Sequence, residues 1–145
     1  MRVFNLAISL ILSFALSGCS IHPPVHIQQD QQIILPCSST PNCVSSIDDR
    51  PDFHVEPINE FLTLNDIHHA LKSLPQCDIA KETQSYLHLE CHSLIFRFVD
   101  DFELLIRNGE LHLRSASRIG YSDLGINRKR VNTFTQALIL RAPQE

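Results

Sequence analysis

The residues best suited to chemistry lie in the stretch RSASRIGYSDLGINRKR, residues 114–130, which holds four arginines and a lysine. The whole chain, in contrast, has 12 Lys and Arg against 16 Asp and Glu, a formal net charge of −4. Guanidinium groups bind carboxylates and phosphates through paired hydrogen bonds, and hydroxyl and amide groups add further partners. The pattern predicts an anion-binding site with the candidate residues Arg114, Ser115, Ser117, Arg118, Tyr121, Asn127, Arg128 and Arg130.

An internal ion-pair network is the alternative interpretation of the same stretch. Residues 128–130 fall at the start of a predicted helix, where the macrodipole and the free amide hydrogens favour anions rather than three cations. A negative group should therefore lie nearby, either an external phosphate or carboxylate or one of the chain's own carboxylates. The internal candidates are Asp100, Asp101, Glu103 and Asp123. The sequence leaves both interpretations open.

Serines offer a second kind of chemistry. Ser45 and Ser46 follow Cys43, and Ser117 precedes Asp123 by six residues, so either group could supply a nucleophile beside a base. No G-x-S-x-G elbow or other ordered motif supports this arrangement. A hydrolase of a cell-envelope substrate is therefore the alternative to a non-catalytic binding module.

Three residues could form a metal site on a strand. His88, Glu90 and His92 alternate along the chain, which places them on one face, as a zinc site on a sheet needs. The same alternation is explained by a solvated strand face opposite an apolar one. We therefore predict no metal and no other cofactor.

The N-terminus predicts export. Met1 and Arg2 precede the apolar run VFNLAISLILSFAL, whose length is typical of a signal peptide and too short for a membrane span. The segment LSGC, residues 16–19, resembles a bacterial lipobox, which implies cleavage before Cys19, a diacylglycerol on its sulfur and an acyl chain such as palmitate on its new amino group. Ser20 after the cysteine implies export to the outer membrane, facing the periplasm. A secretory signal with a coincidental cysteine is the alternative.

The mature chain predicts one domain behind a tether. Without the signal peptide, residues 1–18, it has 127 residues, enough for a single core. Residues 19–35 comprise the lipidated cysteine and a Pro- and Gln-rich flexible tether, and residues 36–145 comprise the globular domain. Because the domain is acidic and outside the cytoplasm, nucleic acid is excluded as a partner. The expected partners are the membrane through the anchor, and an anionic envelope group or an envelope protein.

Four cysteines remain, an even number in an oxidising compartment. Residues 77–91 read as two strands around a turn near residue 84, in a register that places Cys77 opposite Cys91 and Lys81 opposite Leu87. The predicted disulfides are Cys77–Cys91 and, by the remaining pair, Cys37–Cys43. A metal site of four cysteines is the rival, but the paired C-x-x-C spacing is absent.

Helices and strands then position these groups. A helix begins after Thr63, which can cap it with Asp66, and ends at Pro75, and a second helix spans about residues 127–141. Between them lie predicted strands at 94–99, 102–107 and 110–114, the last two joined by Asn108 and Gly109 as a tight hairpin. The pattern predicts an α+β fold, an antiparallel sheet of about four to five strands flanked by two helices.

The hairpin register brings charges together across the strands. It pairs Arg107 with Glu110 and Glu103 with Arg114, and it places Asp101 diagonally between Arg114 and Arg118. This register therefore predicts an ion-pair network on one face of the sheet.

Three segments carry a resemblance to a known family. They are PCSSTPNCVSS at 36–46, FRFVDDFE at 96–103 and RSASRIGYSDLGINRKRV at 114–131. Together they resemble the signature blocks of the bacterial and plastid domain of unknown function 1499, over essentially the whole mature domain. The resemblance implies a commonly exported domain and carries no assigned reaction.

Overall fold

A five-stranded antiparallel sheet organises the chain, in the strand order β1-β5-β4-β3-β2. The computed structural model describes residues 22–59, 62–93 and 98–140. The strands are β1 (Cys43–Ser45), β2 (Cys77–Glu82), β3 (Tyr86–His92), β4 (Val99–Arg107) and β5 (Glu110–Ser117), and the helices are α1 (Val25–Gln28), α2 (Leu64–Leu71) and α3 (Ile126–Ile139). The predicted fold class is confirmed, while most of the strand predicted at 94–99 lies outside the described residues. Among those residues, no helix has the length and hydropathy needed to cross a membrane.

The β4–β5 hairpin has the predicted register, with Arg107 opposite Glu110 and Glu103 opposite Arg114. Its two turn residues, Asn108 and Gly109, have φ values of 56° and 84°. Both lie in the left-handed region, which a two-residue turn between right-twisted strands requires. The Asn-Gly pair therefore fixes which side chains of β4 and β5 share a face.

Both predicted disulfides are present, Cys37–Cys43 and Cys77–Cys91. Cys77 lies directly opposite Cys91 in the β2–β3 ladder, as predicted. The predicted pairing of Lys81 with Leu87 is wrong, because an irregularity between Ile79 and Lys81 shifts the register and places Lys81 opposite His88. The extra residue lies in an edge strand, where such bulges are common.

Helices α2 and α3 cover one face of the sheet, which we call the helix face. Thr63 and Asp66 form the predicted capping box at the start of α2. The helices bury an apolar core against β3, β4 and β5, and the rings of Phe102 and Phe134 meet edge to face at 5.4 Å between centroids. The buried apolar side chains of both helices, among them Ile67 and Leu138, thus form the main core.

Residues 22–35 cover the opposite face and differ from the predicted tether. They contain the helix α1, and His26 and Ile34 are buried against the sheet. Ile34 belongs to a small apolar cluster with Tyr86 and Leu105. We call residues 22–35 the strap and the face beneath it the strap face. The apolar Ile34 and the hydrogen-bonding His26 both gain partners on the sheet, which an extended tether in water would lack.

Candidate functional site

The sheet separates the arginines of the 114–130 stretch. Arg114 lies on β5 with its side chain on the strap face, and Arg118 follows β5 on the same side. Arg128 and Arg130 lie on α3, above the helix face. The stretch therefore does not gather its cations into one groove, and each guanidinium has partners within the protein.

Glu103 lies at the centre of the strap face and is fully buried. One carboxylate oxygen accepts a hydrogen bond from Arg114 Nη1 at 2.7 Å, and the other accepts from Tyr86 Oη at 2.9 Å and His26 Nε2 at 3.0 Å. Burial alone would raise the pKa of Glu103, but the hydrogen bond from His26 and the charge of Arg114 outweigh it and hold the pKa below its usual value. Burial, followed by the adjacent Glu103 charge, raises the pKa of Tyr86. Glu103 is therefore an ionised carboxylate inside the domain.

Asp101 forms the second centre on this face. Its carboxylate accepts hydrogen bonds from Arg118 Nε at 3.0 Å and Nη2 at 2.7 Å, and from His88 Nε2 at 2.7 Å. Burial would raise the pKa of Asp101, yet the hydrogen bonds from His88 and Arg118 keep it below its usual value. Arg118 Nη2 also binds Glu90 at 2.5 Å. We call this set the charged cluster, comprising Glu90, Asp101, Glu103, Arg114, Arg118, His26 and His88.

The predicted metal residues are only partly brought together. Ligand atoms of His88, Glu90 and Asp101 lie within 4.8 Å of one another, whereas His92 is exposed and outside this group. Arg118 binds both carboxylates, so a divalent cation would have to displace a guanidinium that is itself buried. The prediction of a solvated strand face is also wrong, because the strap covers this side and His88 is only 3% exposed.

The start of α3 has an internal anion. The carboxylate of Asp123 accepts hydrogen bonds from the backbone N–H of Gly125 at 3.0 Å and of Asn127 at 2.7 Å. This carboxylate occupies the position that an external anion would take at a helix N-terminus. The predicted need for negative charge is therefore met by the chain itself.

The remaining candidate residues form a polar network beside α3. Arg130 binds Asp100 at 2.7 Å and Ser115 Oγ at 2.8 Å, and Asn127 bonds both Ser115 and Ser117. Arg128 donates instead to the backbone carbonyls of His54 at 2.9 Å and Asp52 at 2.8 Å. These contacts tie α3 to the sheet and to the loop after β1.

One part of the stretch faces solvent. Tyr121, Leu124 and Ile126 are 75%, 93% and 49% exposed, and Lys129 is also exposed. Leu124 has φ 54°, in the left-handed region that leucine rarely adopts. The loop that contains Leu124 is held in place at Gly120, whose carbonyl accepts a hydrogen bond from Asn42 Nδ2 at 2.7 Å. We call residues 119–125, together with Ile126 at the start of α3, the exposed loop.

Only one of the predicted serine nucleophiles contacts a histidine. Ser46 Oγ lies 3.3 Å from His112 Nδ1, and Glu110 lies 3.5 Å from the other ring nitrogen. Ser45 instead donates to the Leu35 carbonyl, and Ser117 accepts from Asn127. The backbone N–H of Ser46 already donates to Leu113, so it cannot stabilise an oxyanion without a rearrangement.

Sequence reasoning missed His26 and Tyr86 as parts of this arrangement. His26 lay in a stretch whose prolines and glutamines indicated a tether, and no local pattern distinguishes a docked histidine from a solvated one. Tyr86 could have been found, because it precedes His88 and Glu90 on alternate positions of β3 and so shares their face. His112 could have been found in the same way, two positions before Arg114 on β5.

The comparisons with known proteins give a family and no activity. A family model described as "Protein of unknown function (DUF1499)" matches residues 33–138. The searches of curated proteins and of solved structures find no significant match. Any function must therefore be argued from the residues and their geometry.

Proposed function

Since the chain belongs to the DUF1499 family, whose description assigns no activity, we propose that it is a non-catalytic lipoprotein of the bacterial envelope that binds a protein partner through the exposed loop. The proposed anchor is a lipid on Cys19 in the outer membrane, with the domain in the periplasm. The sequence pattern at residues 1–19 supports the anchor.

One observation carries the binding role, the conformation and exposure of Leu124. A leucine with φ 54° costs roughly 1 kcal/mol of backbone strain, and at 93% exposure it gains nothing from burial within the domain. Strain of this kind persists where a fixed conformation serves a contact. Tyr121 and Ile126 provide further exposed apolar area within the same short loop.

The geometry favours a protein partner over an anionic group. Arg114, Arg118 and Arg130 are paired with internal carboxylates, and Arg128 is bonded to carbonyls, so their guanidiniums offer little to an external anion. The exposed groups of this loop include a phenol and two aliphatic side chains, with Lys129 beside them. Tyrosine is enriched at protein interfaces, and an exposed apolar patch inside a polar rim is typical of them.

Site-specific photo-crosslinking in cells tests this proposal. A photoreactive residue at position 124 should give discrete protein adducts, whereas one at Ile79, which is 42% exposed on the edge strand, should not. Asparagine tolerates the left-handed region, so Leu124→Asn should leave the unfolding midpoint unchanged or higher while adducts from position 121 are lost. Equal adducts from positions 79 and 124, or lipid adducts alone, would overturn the partner-binding role.

The anchor has its own test. Cys19→Ala should move the protein from the membrane fraction to the soluble fraction and remove the lipid mass from the intact protein. An unchanged distribution and mass would show that residues 16–19 are not a lipidation site.

A hydrolase is the second candidate. It is favoured only by the contacts of His112 with Ser46 on one ring nitrogen and with Glu110 on the other. In this function His112 would accept the Ser46 proton as Ser46 Oγ attacks the carbonyl carbon of an envelope ester or amide, and would pass it to the alcohol or amine that leaves. Water would then release the acyl group from Ser46. A fluorophosphonate probe should then label Ser46, and labelling should be lost in Ser46→Ala and kept in Ser45→Ala. Absence of labelling in the folded protein would remove this candidate, since such probes report activated serines directly.

A further inference from the structure

The strap contributes to a site that belongs to the family domain. The family match begins at residue 33, so His26 and α1 precede it. Nevertheless His26 Nε2 reaches the fully buried carboxylate of Glu103, 77 residues away in sequence. A segment outside the matched region therefore completes a polar centre inside it.

The charged cluster holds more carboxylates than permanent cations, which favours a further positive group beside Glu103. Its carboxylates are those of Glu90, Asp101 and Glu103, and its permanent cations are only Arg114 and Arg118. A buried carboxylate without a full complement of donors is costly, so the Glu103 oxygen that faces the strap favours an N–H donor, and most strongly a positively charged one. His26 supplies an N–H donor at this oxygen in cis.

The strap fits this site incompletely. Arg114 Nε is buried and has no hydrogen-bond partner among the described residues. The strap thus satisfies the carboxylate of Glu103 and leaves a donor of the adjacent guanidinium unmet. A ligand that carries a basic side chain next to a carbonyl oxygen would satisfy both groups.

The backbone of the strap forms few hydrogen bonds with the sheet among the described residues. Within the described part of the chain, the backbone N–H groups of residues 27–31 and of Ile33 bond to carbonyls of the strap itself, not to a strand. Two other polar contacts of residues 25–33 with the sheet, Gln32 with Thr83 at 3.1 Å and Asp30 with Lys81, lie near the surface. The Leu35 carbonyl, beyond these residues, accepts a hydrogen bond from Ser45 Oγ at 2.8 Å. Residues 25–33 can therefore leave without opening a β-ladder.

We propose that the strap face around Glu103 is a binding site for a basic side chain of a protein partner, and that His26 of the strap occupies this site in cis. The partner segment displaces residues 25–33, places its cation on Glu103 and its backbone carbonyl near Arg114 Nε. Tyr86 Oη donates to Glu103 in both states, and Ile34, outside the displaced residues, stays packed on Tyr86 and Leu105. This site is separate from the exposed loop and does not depend on its function.

Hydrogen exchange of the mature chain gives the first part of the test. Residues 25–33 should exchange at least about tenfold faster than β4, through an opening that leaves β4 protected. His26→Ala should accelerate exchange of the strap further, while His92→Ala, at an exposed histidine, should not. If the strap exchanged only when β4 exchanged too, the proposal that the strap can leave the sheet by itself would be overturned.

Binding of a probe peptide to the His26→Ala chain gives the second part. The probe is acetyl-PVHIQ-amide, and the control is the same peptide with glutamine for histidine. In NMR titrations, the histidine peptide should shift the Arg114 Nε–H and Glu103 amide resonances, with an affinity at least about fivefold above that of the control. Tyr86→Phe, which removes one Glu103 donor and keeps the ring, should retain this preference. Equal shifts by both peptides, or none, would overturn the site.

Discussion

The helix face of the sheet is closed by apolar side chains of two helices, whereas the strap face is closed by ion pairs, hydrogen bonds and a short segment. Phe134 and Glu103 are both fully buried, one on each side. Apolar burial needs only a complementary surface, but each buried carboxylate needs donors placed within about 3 Å. Stability on the helix face is therefore spread over many contacts, and on the strap face it depends on a few residues.

Loss of an apolar group on the helix face should have the largest effect. Phe134→Ala removes a fully buried ring that meets Phe102, and we expect a loss of about 4 kcal/mol in the free energy of unfolding. Urea unfolding measures this change. Leu140→Ala, at a position that is 84% exposed, should change stability by less than about 0.5 kcal/mol. Similar losses in the two variants would mean that α3 does not seal this face.

Loss of one charge on the strap face should come next. Glu103→Gln leaves Arg114 buried without its counter-ion, and we expect a loss of about 3 kcal/mol. Glu110→Gln, on the exposed end of the hairpin, serves as the control and should lose little. A Glu103→Gln variant whose free energy of unfolding is nearly unchanged would show that the charged cluster can rearrange beneath the strap.

Acid should distinguish the two faces by the shape of the stability curve. The pKa values of Asp101 and Glu103 lie below their usual values of 3.8 and 4.5 in the folded protein. Their contribution is therefore complete above about pH 4.5 and is lost as pH falls through the lower folded-state values. Thermal unfolding from pH 7 to pH 2 should show this acid limb. Glu103→Gln should make it shallower, whereas Phe134→Ala should lower the curve with its shape unchanged.

Removal of the carboxylate at the start of α3 should have the smallest effect. Asp123→Ala leaves the backbone N–H groups of the exposed Gly125 and the buried Asn127 without this acceptor, and we expect a loss of about 1 kcal/mol, as for other lost helix caps. Asp78→Ala, on the exposed face of the edge strand β2, is the matched control. If Asp123→Ala also created salt-sensitive phosphate binding, Asp123 would be acting as an internal substitute for an anion.

The fold was largely predictable because its signals are local. Asn108 and Gly109 determine the hairpin register, and the register alone pairs Glu103 with Arg114. The alternation around Cys77 and Cys91 similarly predicted their disulfide. Each inference used residues less than 15 positions apart, where geometry follows from the period of a strand.

The candidate site was less predictable because its assembly depends on distant residues. The clustering of arginines between 114 and 130 suggested one surface, but the sheet places Arg118 on one side and Arg130 on the other. The internal partner of Glu103 on the strap, His26, is 77 residues away. No spacing rule links a Pro- and Gln-rich segment to the face of a sheet. The docked strap therefore required a structure.

The docked strap also sets how far the domain can stand from a bilayer. With the proposed lipid on Cys19, only residues 20–24 lie between the anchor and α1, a reach of at most about 20 Å when extended. Release of residues 25–33 would free the chain up to Ile34 and raise that limit to about 50 Å. Occupancy of one buried carboxylate would thereby set how far the domain can extend from the bilayer that holds the proposed lipid.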